Sequence, residues 1–372
     1  MKDLSQVDRN FEIPAYVEKP DLCYYDVKTA PFAVYGVFYE DGYFRRIPET
    51  VAKAVSDGVT YLHTNTSGGR IRFVTDSPYV AIHAVLDGIN AMPHVSLSGS
   101  CGLDLYADGA YYGAFVPPVD MTDGYDHILE FQDRKLREIL IHMPLYCNVK
   151  ELLVGLSETA QVLPAALYRF PAPVVYYGHS ITQGGCASGA GNSYPNILSR
   201  RLGVDQINLG FSGSCKGEQA MAAHIAGLSM RALVMDYDHN APDIDHLRKT
   251  HEPFFKTVRQ AQPDLPVIFL TATAQERCFD DRDGRKAVIR QTYENALAAG
   301  DKNVYFIDGS RIYDGVDAAT TVEGCHANDL GFLLQANAVG AVLSDVLKAS
   351  LSSGLRAALR AGGLCTPACG RV

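Results

Sequence analysis

The chain has 372 residues, is 47% hydrophobic and 20% charged, and carries a formal net charge of -9. It is long enough for two cores, since single cores stop growing near ~250 to 300 residues. An acidic chain with no basic block is a poor match for nucleic acid or an anionic membrane surface, so a neutral or modestly polar small molecule is the expected partner, with a homo-oligomer left open.

The opening segment, MKDLSQVDRNFEIPAY, lacks the apolar core of a leader peptide, and no stretch reaches the ~18 uninterrupted apolar residues of a membrane span. The expectation is a cytoplasmic protein. Its cysteines, at 23, 101, 147, 186, 215, 278, 325, 365 and 369, have neither a disulfide-framework spacing nor a CxxC pair, and read as reduced thiols.

From about residue 20 to 165, short alternating runs are broken by turn residues: GRIRFVTDSPYVAIHAVLDG, GLDLYADGAYYGAFVPP, HILEFQD and EILIHMP. This pattern predicts an antiparallel β-sandwich over residues 1–165. Asp108-Gly109 falls between two strand-like runs, where a tight hairpin requires residues that tolerate φ > 0. In GLDLY, Leu103 and Leu105 fall on one strand face, Asp104 and Tyr106 on the other.

Past LPAALYRFPAP the rhythm changes. VVYYG, DQINLG, RALVMDY, PVIFLTAT and NVYFID are nearly continuous apolar strands separated by helical periodicity, which predicts a parallel sheet with helices on both faces over 170–348. The clearest helix spans roughly 243–261, with Ile244, Leu247, Phe254, Phe255 and Val258 on its apolar face. The last stretch, 349–372, is rich in small residues and arginine and reads as a frayed or appended tail; Cys365 and Cys369 within it have no further ligand nearby.

VVYYGHSITQGG, 174–185, runs from strand through a glycine turn into a helix, which puts Ser180 at the carboxyl end of the sheet, where α/β folds keep their sites. Ser180 is there as a nucleophile or, like Thr182, as a helix cap. The stretch has no lysine for a P-loop, does not spell GxGxxG, and is not GxSxG because Thr182 follows two residues after the serine. A nucleophile needs a base, a group that orients the base, and donors for an oxyanion. Later strand ends offer Gly213 in NLGFSGS, Asn240 in DYDHN and His326 in VEGCHANDLG.

In this order the blocks resemble the SGNH, or GDSL-like, hydrolase superfamily over about residues 170–347, and GLDLY, 102–106, is similar to the GxDLY motif of a β-rich domain that precedes certain SGNH hydrolases. The resemblance implies a flavodoxin-like α/β/α hydrolase domain after a jelly-roll-like sandwich. It also implies Ser180 as nucleophile, the Ser180 and Gly213 N-H groups with the Asn240 amide as oxyanion donors, and His326 as general base. The family's last block carries Asp three residues before the histidine, whereas this chain has Glu323. Glu323 is the expected third member, with Asp329 or a backbone carbonyl as alternatives, the carbonyl leaving a Ser-His dyad. The block before Asn240 reads Asp238-His239 in place of the common glycine.

His179, Gln183 and Asp238 are further candidates for substrate contact, with Asn192 weaker. Asp236, Asp238 and His239 alternate along a strand end, so no shared metal is expected, nor any cofactor; Asp236 reads as a buried or capping carboxylate. Lys216 and Glu218 read as the first turn of a helix. The implied activity is a serine esterase acting through an acyl-enzyme on a short, acetyl-like ester. Its alcohol part is expected to be a sugar or oligosaccharide, for which the 13 of 21 tyrosines in the first 165 residues offer stacking faces. The competing readings are a carbohydrate-binding or structural protein with a decayed hydrolase site, and an acyltransferase.

Overall fold

The alternating runs of the first half fold into two antiparallel sheets packed over one core. The computed structural model describes residues 7–8, 17–89, 92–273, 281–316 and 318–361. One sheet orders Leu22–Asp26, Asn148–Ser157, Tyr79–Asp87 and Gly124–Glu130; the other orders Val162–Leu163, Arg70–Thr75, Arg137–His142, Leu103–Ala107 and Ala110–Phe115, with Ala33–Tyr35 beside Arg70–Thr75. Phe73, Ile82, Leu105, Ile139 and Val154 from the two sheets meet in that core. The hairpin turn is where the Asp-Gly pair predicts it, with φ of 52° at Asp108 and 80° at Gly109. Leu103 and Leu105 face the sandwich core, while Asp104 and Tyr106 face the second half of the chain.

That second half is a five-stranded parallel sheet in the order Gln206–Gly210, Val174–Gly178, Ala232–Asp236, Val267–Leu270, Val304–Ile307. The first strand in sequence lies between the second and third, the flavodoxin-like arrangement. Period-two alternation assigns its faces. Val175 and Tyr177 pack with Leu247, Phe254 and Val258 of the helix Ile244–Ala261, and Val174 and Tyr176 pack with Leu198, Phe332 and Val339 on the opposite side. Phe254 is fully buried, and truncating it to alanine is expected to cost roughly 3 to 5 kcal/mol.

Two features depart from the expectations. Residues 49–62, read as part of the sandwich, form the helices Glu49–Val55 and Asp57–Leu62, and Ala52, Val59 and Leu62 join the core of the parallel-sheet unit. Seven- and six-residue helices are too short to show a period, and the one start signal is Ser56, whose hydroxyl accepts from the Val59 N-H. The last helix runs from Asp329 to Ala361, so residues 349–361 are helical rather than frayed; 362–372, with Cys365 and Cys369, lie outside the described residues. By length and composition its Asp329–Lys348 part would suit a membrane span, yet Phe332, Ala336, Val339, Leu343, Val346 and Leu347 are buried in the core, which accounts for its apolarity.

Candidate active site

Register brings the site together. Gly178 pairs with both Gly210 and Asp236, so three strands end level and the loops after them share one edge. That edge is where the strand order switches, the crevice in which open α/β sheets bind ligands. Close packing there excludes a side chain: a Cβ on Gly178 would lie 2.5 Å from the Asp236 carbonyl oxygen, and one on Gly210 would lie 2.4 Å from the Gln183 nitrogen.

The helix Ser180–Gln183 is capped by neither Ser180 nor Thr182. His179 caps it, its Nδ1 accepting from the Ile181 N-H at 3.2 Å. An accepting Nδ1 leaves the proton on Nε2, which donates to Asp236 at 3.1 Å. The other Asp236 oxygen accepts from the Thr182 hydroxyl at 2.8 Å and the Tyr194 hydroxyl at 3.2 Å. A buried carboxylate with three donors thus anchors the turn, as expected for Asp236.

With the cap provided by its neighbour, the Ser180 Oγ lies 2.8 Å from His326 Nε2. On the far side of the ring, His326 Nδ1 is 2.7 Å from Glu323 Oε1, which also accepts the His326 backbone N-H at 2.8 Å. The longer glutamate therefore folds back onto the histidine three residues later. Asp329 is engaged elsewhere, accepting from the Ser188 N-H at 3.0 Å and from its hydroxyl. Burial alone would raise the Glu323 pKa, but the N-H and ring of His326 outweigh it and hold the carboxyl below its ordinary range. An ionised carboxylate on Nδ1 fixes the tautomer that turns an accepting Nε2 toward the serine.

Gly213 has φ of 67°, and a Cβ there would meet nothing, so conformation rather than space makes it glycine. Among the described residues neither the Ser180 nor the Gly213 N-H has a hydrogen-bond partner. The Asn240 amide donates to the Phe211 carbonyl at 3.1 Å, which holds it beside the same loop and leaves its second N-H available. Three donors and a histidine-paired hydroxyl on one edge match the demands of acyl transfer.

His179, Gln183 and Asp238, expected as substrate contacts, are engaged within the protein. All three are buried, and their polar groups bind protein. Gln183 donates to the Leu145 carbonyl at 3.2 Å and to Asn65 at 3.3 Å, and accepts the Ser212 N-H at 2.9 Å. Asp238 accepts the Ala272 N-H at 2.8 Å. Residues at strand ends turn alternately toward and away from the crevice, and composition does not say which. Glu218 precedes the helix Gln219–Ala226 and accepts from the Lys216 N-H and the Tyr177 hydroxyl, both at 3.0 Å, consistent with a helix start.

Sequence reasoning missed the residues that reach the site from the first half. Arg46, fully buried, donates to the carbonyls of Asn208 at 3.2 Å, Leu62 at 2.7 Å and Gly210, and lies 4.1 Å over the Phe211 ring. Burial pushes its pKa down to about 9. The Tyr146 hydroxyl donates to the Ser180 carbonyl at 3.1 Å, and the Ser67 hydroxyl to the Gln183 carbonyl at 2.5 Å. Asp104 accepts the Gly191 N-H at 2.7 Å, and Tyr106 lies 4.1 Å under the Arg200 guanidinium. The alternation of GLDLY was the one available signal, because it placed Asp104 and Tyr106 on a shared face. A cavity of 820 Å³ beside Phe255, Arg259, Asn295 and Asp301 shares no residue with the Ser180 edge.

A parallel sheet with this constellation at its switch point defines an ester-hydrolase class of site. Residues 171–344 match the model of the GDSL-like lipase/acylhydrolase family, and residues 22–162 match that of the N-terminus of SGNH-hydrolase-type esterases, GxDLY. Residues 171–344 thus resemble the GDSL-like lipase/acylhydrolase family and residues 22–162 the GxDLY N-terminal part, and the chain is a carboxylic ester hydrolase. Among solved structures, a candidate GDSL-like lipase from Bacteroides ovatus is 29% identical with a TM-score of 0.80, covering 88% of this chain and 98% of that one. A salicylyl-acyltransferase from a tetracycline biosynthetic pathway is 18% identical with a TM-score of 0.71, covering 87% and 96%. A family two carbohydrate esterase from Clostridium thermocellum, in complex with cellohexaose, is 13% identical with a TM-score of 0.60, covering 85% and 99%. No curated protein matches the chain in sequence.

Proposed function

We propose that the chain is a serine esterase that removes a short acyl group, acetyl above all, from a carbohydrate ester. The observation that carries this reading is the continuous hydrogen-bonded line from the Ser180 hydroxyl through the His326 ring to Glu323, at 2.8 and 2.7 Å. Ser180 Oγ attacks the ester carbonyl as its proton passes to His326 Nε2. The oxyanion then accepts from the N-H groups of Ser180 and Gly213 and from the Asn240 amide. Collapse expels the alcohol, which takes the proton from His326, and leaves an acyl-enzyme. A water that gives its proton to the same nitrogen attacks this acyl-enzyme, and acetate leaves as Ser180 is restored.

The sugar half of the proposal draws support from likeness to carbohydrate esterases, among them one in complex with cellohexaose and an acetyl xylan esterase from Butyrivibrio proteoclasticus. Two measurements test the reading. An organophosphonate should add its mass to Ser180 and not to Ser180→Ala, and acetate should be released from acetylated xylo-oligosaccharides faster than from a simple aryl acetate at equal concentration. Labelling without any preference for the sugar ester would retain the nucleophile and discard the substrate. A second reading, transfer of the acyl group to another alcohol, is favoured by the fold shared with the salicylyl-acyltransferase; a new ester formed in the presence of a competing alcohol would support it.

A further inference from the structure

Two residues beside the proposed base take no part in that chemistry. His94 lies in a loop of the first half with its ring centroid 5.7 Å from that of His326. Cys186 lies just past the Ser180 helix, buried, with φ of 71°. For a residue other than glycine this backbone is strained by roughly 1 to 3 kcal/mol, and such strain gathers at functional sites. The ligand atoms of His94, Cys186 and His326 all lie within 4.8 Å of one another.

We propose that His94, Cys186 and His326 form an inhibitory site for a thiophilic divalent cation of the zinc type. Two imidazoles and a thiolate are a ligand set that zinc takes, with nitrogen at about 2.0 Å and sulfur at about 2.3 Å. A tetrahedral ion therefore holds its ligands roughly 3.5 Å apart, so small side-chain rotations close the present spacing. Binding displaces the Cys186 thiol proton to solvent. The ion takes His326 through either nitrogen: Nε2 is now bonded to Ser180 and Nδ1 to Glu323, so coordination breaks one bond or the other. Metal binding and the proposed catalysis are thus mutually exclusive. The inhibition rests on His326 being the base, whereas the binding does not.

Co2+ added to the full chain reads binding without reference to esterase activity. A thiolate-to-metal absorption band should grow to one equivalent, disappear in Cys186→Gly, and require roughly tenfold or more Co2+ in His94→Ala. Glycine is the chosen replacement because it adopts the positive φ at position 186 without strain. In parallel, Zn2+ should inhibit aryl acetate hydrolysis reversibly with EDTA. The inhibitory concentration should rise roughly tenfold or more in both variants, with their metal-free turnover retained. Absence of the band, or equal Zn2+ sensitivity in wild type and both variants, would overturn the site. A band that survives Cys186→Gly and vanishes in Cys325→Ser would equally overturn it, assigning the metal to the neighbouring trio of Glu323, Cys325 and His326.

Discussion

The parallel-sheet unit and the β-sandwich meet at one edge and contribute different things to it. The groups proposed to react or to receive charge, on Ser180, Gly213, Asn240 and His326, lie in the turns just after parallel strands or just before the last helix. The sandwich side supplies groups that hold those loops from behind: Arg46 on the Gly210 carbonyl, Ser67 on the Gln183 carbonyl, Tyr146 on the Ser180 carbonyl and Asp104 on the Gly191 N-H. Reacting side chains need precise aim, and a loop keeps its aim only when a rigid neighbour satisfies its backbone. The sandwich is thus part of the site's foundation rather than an appendage, and removing residues 1–165 would also strip Ile47, Ala52, Val59 and Leu62 from the sheet unit's core.

This division makes unequal demands on variants of the two regions. Ser180→Ala and His326→Ala should each lower aryl acetate turnover on the order of 10^4-fold or more while leaving the melting temperature in place. A loss of folding with the loss of turnover would blur the contrast. Glu323→Gln should cost on the order of 10^3-fold, because the ring loses the carboxylate that fixes its tautomer; near-normal steady-state rates would instead describe a Ser-His dyad. Asn240→Ala should lower turnover on the order of 10^2-fold with little change in KM, as for a donor used in the transition state.

On the supporting side, Arg46→Met should reverse the pattern. It removes the guanidinium bonds to the Asn208, Gly210 and Leu62 carbonyls, of which Leu62 keeps the Asn65 N-H at 3.1 Å, and should destabilise the fold by roughly 2 to 4 kcal/mol in urea titration, with turnover per folded molecule within about tenfold of wild type. The smallest effect belongs to Asp104, whose carboxyl is pushed up to about 6 by burial, against an ordinary 3.8. A folded pKa above the unfolded one means the folded state binds the proton more tightly. Stability from this group is therefore full below pH 4, declines as pH rises through 4 to 6, and is lost above, by roughly 2 to 3 kcal/mol in all. Asp104→Asn removes the titration while keeping an acceptor for the Gly191 N-H. Melting temperatures of the two proteins should separate between pH 4.5 and 7, the asparagine variant becoming the more stable; parallel curves would mean that Asp104 titrates as an ordinary carboxyl.

Both layers of the fold were legible because their patterns have different periods: alternation through Leu103, Leu105, Ile139 and Ile141, and unbroken apolar runs such as Val174–Tyr177. The short helices over 49–62 were not, since so few turns carry no period and their burial depends on a core built by distant residues between Val175 and Val304. The residues proposed to react were legible as blocks because each sits just after a strand or just before a helix. The supporting residues were not, with the exception of the shared face of Asp104 and Tyr106.

By itself, then, the sequence determined the two architectures and the edge of the sheet where chemistry belongs, because strand period and strand ends are local properties of a chain; the resemblance of its blocks pointed to Ser180, Gly213, Asn240 and His326 as the residues proposed to act there. Only the tertiary structure decided that His179 rather than Ser180 or Thr182 caps the turn, that Glu323 rather than Asp329 meets the histidine, and that His179, Gln183 and Asp238 turn inward. Each of those outcomes depends on a competition for hydrogen-bond partners between segments far apart in the chain, and such a competition is decided only when packing brings the partners within reach.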